Sequence, residues 1–83
     1  MEIKVLGSGC ANCKRLEALV REVVAEMGAE ANVVKVTDFK EIASYGILAT
    51  PGLVVNEAVK SAGRIPSKAE ITSWVASALE QAQ

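Results

Sequence analysis

The amino-acid sequence predicts an α/β fold in which a four-stranded mixed sheet is flanked by helices in the order β-α-β-α-β-β-α, residues 1–83 forming one domain. Three observations lead to it. The branched apolar run Ile3-Lys4-Val5-Leu6 and the run Ala31 to Val36 stand on either side of a long helical stripe, as in a βαβ unit with parallel strands and a right-handed crossover. Two further short runs, Leu53-Val54-Val55 and Ala58-Val59-Lys60-Ser61, are separated only by Asn56-Glu57, which makes them an antiparallel hairpin. A capping box, Ser67-Lys68-Ala69-Glu70, then opens a last amphipathic helix.

Each element has its own justification. The first strand spans about Glu2 to Leu6, and Gly7 and Gly9 then free the backbone for a tight turn that leaves the approach to Cys10 uncovered. The first helix runs from about Cys10 to Met27. Its residues Leu16, Leu19, Val20, Val23, Val24 and Met27 draw one stripe, while Glu17, Arg21, Glu22 and Glu26 face away. Gly28 supplies a left-handed cap, and Val33-Val34 of the second strand reads as buried on both faces. Asp38 caps a short second helix, with Glu41 reaching back and Phe39, Ile42 and Ala43 as its apolar face, and Gly46 ends it. Ile47-Leu48-Ala49-Thr50 leads into the breaker pair Pro51-Gly52 before the hairpin. In the last helix Ile71, Trp74, Val75, Ala78, Leu79 and Ala82 repeat the stripe of the first. Phe39 and Trp74 are expected in the core, because large aromatics dominate packing. Lys4 fits a solvated strand edge as readily as a functional role.

Composition narrows the functions. At 83 residues with 51% hydrophobic content the chain can bury a compact core without staples. Net charge is −1 with the two signs well mixed, so no basic stripe attracts nucleic acid. No apolar run approaches the ~20 residues of a membrane span, and Met1-Glu2-Ile3-Lys4 lacks a signal-peptide pattern. A cytoplasmic protein with no membrane partner is expected, in a compartment where paired thiols cycle rather than stay oxidised.

Both cysteines lie in Gly7-Ser8-Gly9-Cys10-Ala11-Asn12-Cys13-Lys14. Two cysteines three positions apart at a helix start are about one turn from each other, inside the ~4.4–6.8 Å Cα window of a disulfide. Such a bond closes too small a loop to stabilise the fold by restricting the unfolded chain, so its purpose is chemical. The free N–H groups and positive dipole at the helix start stabilise a thiolate at Cys10. Cys-x-x-Cys thiols in such settings titrate at about 3.5–7.5 instead of about 8.5. Lys14 and Arg15 stand where the dipole disfavours cations, and Lys14 is read as lowering the thiol pKa further.

With the element order, Cys10-Ala11-Asn12-Cys13 after the first strand, Thr50-Pro51-Gly52 before the third and Gly63 after the fourth, the chain resembles the thioredoxin-like superfamily. It is most similar to the short, glutaredoxin-sized small redox-active disulfide proteins of archaea and bacteria, over nearly its whole length. The resemblance implies a thioredoxin/glutaredoxin-like fold, Cys10 as nucleophile, Cys13 as the resolving thiol and a cis Pro51 facing the pair. Thr50, just before that proline, would then offer its backbone N–H and C=O to an extended substrate segment. Gly9 replaces the aromatic residue that thioredoxins place before the first cysteine. Lys4 stands on the strand where they carry a buried carboxylate, and Ala11-Asn12 replaces the Pro-Tyr common in glutaredoxins.

The expected activity is thiol–disulfide oxidoreduction, most simply the reduction of protein disulfides, with no cofactor beyond the Cys10–Cys13 couple and no metal. Disulfide-containing proteins are the expected substrates, and an upstream reductase or low-molecular-weight thiol the electron source. The alternative is a Cu(I) carrier using the same two sulfurs. Such carriers follow a β-α-β-β-α-β order ending on a strand, whereas this chain ends on a helical stripe. A tetrahedral zinc site within one chain needs more ligands than two cysteines and no histidine supply.

Overall fold

A computed structural model describes residues 1–81. The elements are β1 (Glu2–Leu6), α1 (Ala11–Met27), β2 (Asn32–Val36), α2 (Phe39–Ser44), β3 (Gly52–Val55), β4 (Ala58–Ala62) and α3 (Lys68–Gln81), in the predicted order. Ala82, the last position of the final stripe, lies outside the described residues. The sheet order is β2-β1-β3-β4, with β1 parallel to β2 and antiparallel to β3, and β3 antiparallel to β4. This is the mixed four-stranded sheet that the βαβ unit and the hairpin require.

Side-chain alternation along β1 divides the core in two. Ile3 and Val5 point to one face, where with Leu53 and Val55 they meet Leu16, Val20 and Val23 of α1 and Ile71, Val75 and Ala78 of α3. Leu6 points to the other face, where with Val36 and Val54 it meets Ile42 of α2. Burying each large side chain fully contributes about 1.5–3 kcal/mol, so the first cluster carries most of the hydrophobic stabilisation.

The caps follow the sequence. Asp38 accepts the Glu41 N–H at 3.2 Å, and Gly28 ends α1 in the left-handed region at φ 62°. In the capping box Ser67 Oγ accepts the Glu70 N–H at 3.1 Å while Glu70 Oε1 accepts the Ser67 N–H at 3.0 Å. Arg64 grips the same carboxylate through two donors at 3.0 and 2.9 Å.

Several expectations need correction. Val33 and Val34 are only half-buried and Val36 alone of β2 is buried, because β2 is an edge strand and the short α2 covers little of its outer face. Phe39 is not core: it opens a helix of 6 residues at the rim and is 83% exposed. Trp74 packs half-buried against the larger cluster, as expected. Lys4 is neither at an edge nor freely solvated. It sits on β1 between β2 and β3, its ammonium 2.8 Å from Glu57, and it donates to Tyr45 Oη at 2.7 Å. The Glu57 bond first, and the Tyr45 bond second, raise its pKa above the ordinary lysine value. Glu57 needs holding, because it and Asn56 turn between β3 and β4 with φ 68° and 48°, the left-handed region. The same anchor reaches Tyr45, which caps the end of α2.

Candidate active site

β1 ends at Leu6, and Gly7 N–H donates to Val36 O at 2.9 Å, which ties the following turn to β2. Gly9 then takes φ 92°, a conformation that side chains disfavour. Cys10 follows as an extended N-cap with φ −65° and ψ 163°, so α1 begins at Ala11, at the expected start of about Cys10. The Cys10 and Cys13 sulfurs are bonded, with the Cα atoms 5.0 Å apart, inside the window that the spacing predicts.

The two cysteines occupy different environments. Cys10 is exposed, whereas Cys13 is 5% exposed. Cys13 N–H donates to Cys10 Sγ at 3.1 Å, so the sulfur fills the capping role that serine or aspartate takes elsewhere. The first turn of α1 holds no acidic residue, so no carboxylate shares the helix end with Cys10 Sγ. A helix N-terminus and an N–H donor are both arrangements that favour negative charge.

Gly7 has a packing reason beyond turn formation. A Cβ at this position would overlap Cys13 Sγ, and it would lie 3.2 Å from Cys13 Cβ and 3.7 Å from Thr50 Cβ. The bare backbone at the end of β1 therefore lets the Cys13 side chain pack directly against Gly7, with Thr50 in contact on the same side. The Thr50–Pro51 peptide is cis, as the resemblance implied. Pro51 is buried and its carbonyl accepts the Gly63 N–H at 2.9 Å, while Thr50 remains exposed.

Two hollows lie on the loops around the disulfide, and Cys13 lines the smaller of them. A groove of about 250 Å³ starts at Ser8 and Thr50 and continues between Ile42, Ile47, Leu48 and Phe39, with no charged side chain in its lining. The smaller hollow lies behind Cys13 and is bordered by Lys14, Glu17 and Lys35. Lys14 is thus beside the pair. Helical spacing sets Glu17 on the outward face of α1 and does not single out Lys35; in the structure Glu17, four positions after Cys13 and so one turn along the same side of α1, turns into the hollow and its side chain is 17% exposed.

The order observed, ending on α3 among the described residues, is not the one a copper carrier of the alternative type would show. A cysteine pair bonded at a helix N-terminus, one sulfur exposed and one covered, performs thiol–disulfide exchange, and its redox group is part of the chain.

Comparison with known proteins agrees. The sequence model of the family described as "Thioredoxin domain" matches residues 1–76. A protein named thioredoxin from Methanothermobacter thermautotrophicus is 44% identical over 71 residues, covering 86% of this chain and 92% of that protein. A second thioredoxin, from Methanocaldococcus jannaschii, is 38% identical over 78 residues, 94% of this chain and 90% of its own length. The chain is a thiol–disulfide oxidoreductase and belongs to the thioredoxin family.

Proposed function

We propose that residues 1–83 act as a single domain that reduces protein disulfides, with Cys10 as nucleophile and Cys13 as resolving thiol. The observation that carries this reading is the asymmetry of the pair: Cys10 is exposed and accepts the Cys13 N–H at 3.1 Å, while Cys13 is 5% exposed. The Cys10 thiolate attacks one sulfur of a substrate disulfide. A Cys10–substrate bond forms, the substrate bond breaks, and the departing thiolate takes a proton. Cys13 then attacks Cys10 Sγ, the internal disulfide forms, and the second substrate thiol leaves, so two electrons and two protons have passed to the substrate. Membership of the thioredoxin family supports disulfide proteins as substrates and a reductase as electron source. For this chain a dithiol reductase or a low-molecular-weight thiol returns the pair to its reduced state, in the cytoplasm. Among the described residues no helix is long and apolar enough to cross a membrane.

Thr50, exposed beside Gly7 and Cys13, presents its backbone to an extended substrate segment, and Pro51 holds that edge in place. Lys14 assists by lowering the thiol pKa through its charge. The apolar groove beside Thr50 suits the side chain of a protein substrate.

Trapping tests the roles. Cys13→Ser should accumulate mixed disulfides with substrate proteins and Cys10→Ser should not. Equal trapping by the two variants overturns the assignment. Iodoacetamide should alkylate Cys10 of the reduced protein with a pKa well below about 8.5, and Lys14→Met should raise that pKa.

A further inference from the structure

Cys13 is 5% exposed, so its sulfur has little direct contact with bulk water to receive a proton when it attacks Cys10 Sγ. The hollow behind it, about 40 Å³, has room for about one water molecule. Its apolar wall is Val5, Gly7 and Gly9, so β1 offers no acid or base on this side. The polar side chains are Lys14, Glu17 and Lys35, two of them cations that only donate. Glu17 is the side-chain acceptor in the lining.

We propose that Glu17 is the proton acceptor for the Cys13 thiol during resolution, a role resting on the assignment of Cys13 as resolving thiol. Placement supports it. Glu17 lies one helical turn after Cys13, its side chain is 17% exposed, and Arg21 at 3.0 Å and Lys35 at 3.7 Å hold it in the seam between α1 and β2. The side chains of both cations are more than half exposed, so they orient the carboxylate while water screens their charge. The charged groups facing Cys13 and Glu17 are therefore Lys14 and Arg21 from α1 and Lys35 from β2. In the resolving step the Cys13 S–H bond breaks and its proton passes to Glu17, directly or through one water. The freed electron pair forms the Cys13–Cys10 bond, and the Cys10–substrate bond breaks with the substrate sulfur leaving as thiolate. Glu17 then returns its proton to solvent.

A single-turnover experiment with one equivalent of 5,5′-dithiobis(2-nitrobenzoate) separates the two attacks on the reduced protein. The first coloured thiolate reports attack by Cys10, the second attack by Cys13. Glu17→Gln should leave the first phase unchanged and slow the second by about 10²-fold near neutral pH, with the difference closing where the thiol ionises unaided, above about pH 9. Glu17→Asp should restore most of the rate. Lys35→Met, which keeps the carboxylate, should change the second phase less than about fivefold. A second phase in Glu17→Gln matching wild type, or slowed by one constant factor at every pH, overturns the proposal. Release of the second equivalent by Cys13→Ser at the wild-type rate overturns the resolving role of Cys13 as well, so the two failures are told apart.

Discussion

The two faces of the sheet are covered unequally. On one, α1 and α3 close over Ile3, Val5, Leu53 and Val55, and the cluster they form is almost dry. On the other, a helix of 6 residues contributes Ile42 as its buried side chain, with Tyr45 and Ile47 packed beside it. Phe39 and Leu48 stay in water at the rim of a groove that leads to Thr50. A thick layer and a thin layer serve different ends. The thick one fixes α1, and with it the depth of Cys13, while the thin one leaves an apolar groove that ends at Ser8 and Thr50. Tyr45, Lys4 and Glu57 give the thin side an ionic anchor in place of a second helix.

The inequality is testable in stability. Leu16→Ala on the thick side should cost about 2–5 kcal/mol in urea unfolding, and Ile42→Ala should fall at or below the lower end of that range, because a thinly covered site relaxes more easily. Equal costs would mean that both faces are packed alike. Next in size is Gly7→Ala, where the added methyl must displace Cys13 Sγ. An overpacking cost of about 1–3 kcal/mol is expected, together with slower closure of the disulfide, read by single-turnover release of a substrate thiol.

Phe39→Ser and Leu48→Ser should change stability by no more than about 0.5 kcal/mol, since neither side chain is buried. They should raise KM for a disulfide protein while leaving the rate with a small aromatic disulfide unaltered. A large loss of stability would show that these side chains do pack in solution.

The smallest effect is an acid one at the start of α3. Arg64 first, and the Ser67 N–H second, lower the Glu70 carboxyl to about 2. Because the folded value is depressed, this contribution is present above the ordinary glutamate pKa of about 4.3 and disappears as pH falls through about 2. Glu70→Gln should flatten that part of the stability-versus-pH curve, and an unchanged curve would show that solvent screens the pair completely. On the thin side the Lys4 bond, then the Tyr45 bond, lowers Glu57, with the same sign in acid.

Local order was readable from local pattern. The stripes of α1 and α3, the Asp38 and Ser67 caps, Gly28 and the Asn56-Glu57 turn are decided by residues within a few positions of one another. The Cys10–Cys13 pairing is of this kind too, because one helical turn sets the separation. Phe39 was misread for the opposite reason. Its helical spacing is apolar, yet whether a face is covered depends on what lies across from it, and a short α2 at the edge of the groove offers nothing there.

By itself the sequence determined the element order, the helix ends and the redox chemistry at Cys10 and Cys13, since periodicity, caps and a three-residue spacing act over short stretches of chain. Tertiary structure alone decided which strands are edges, and therefore that Val33 and Val34 are half-buried and Lys4 is enclosed by Glu57 and Tyr45. It also decided that Gly7 must be bare for Cys13 to fit, and that Glu17 and Lys35, 18 positions apart, meet across the seam of α1 and β2. Contacts between segments distant in the chain depend on how the strands are ordered and which face each helix covers, and no local pattern encodes that order.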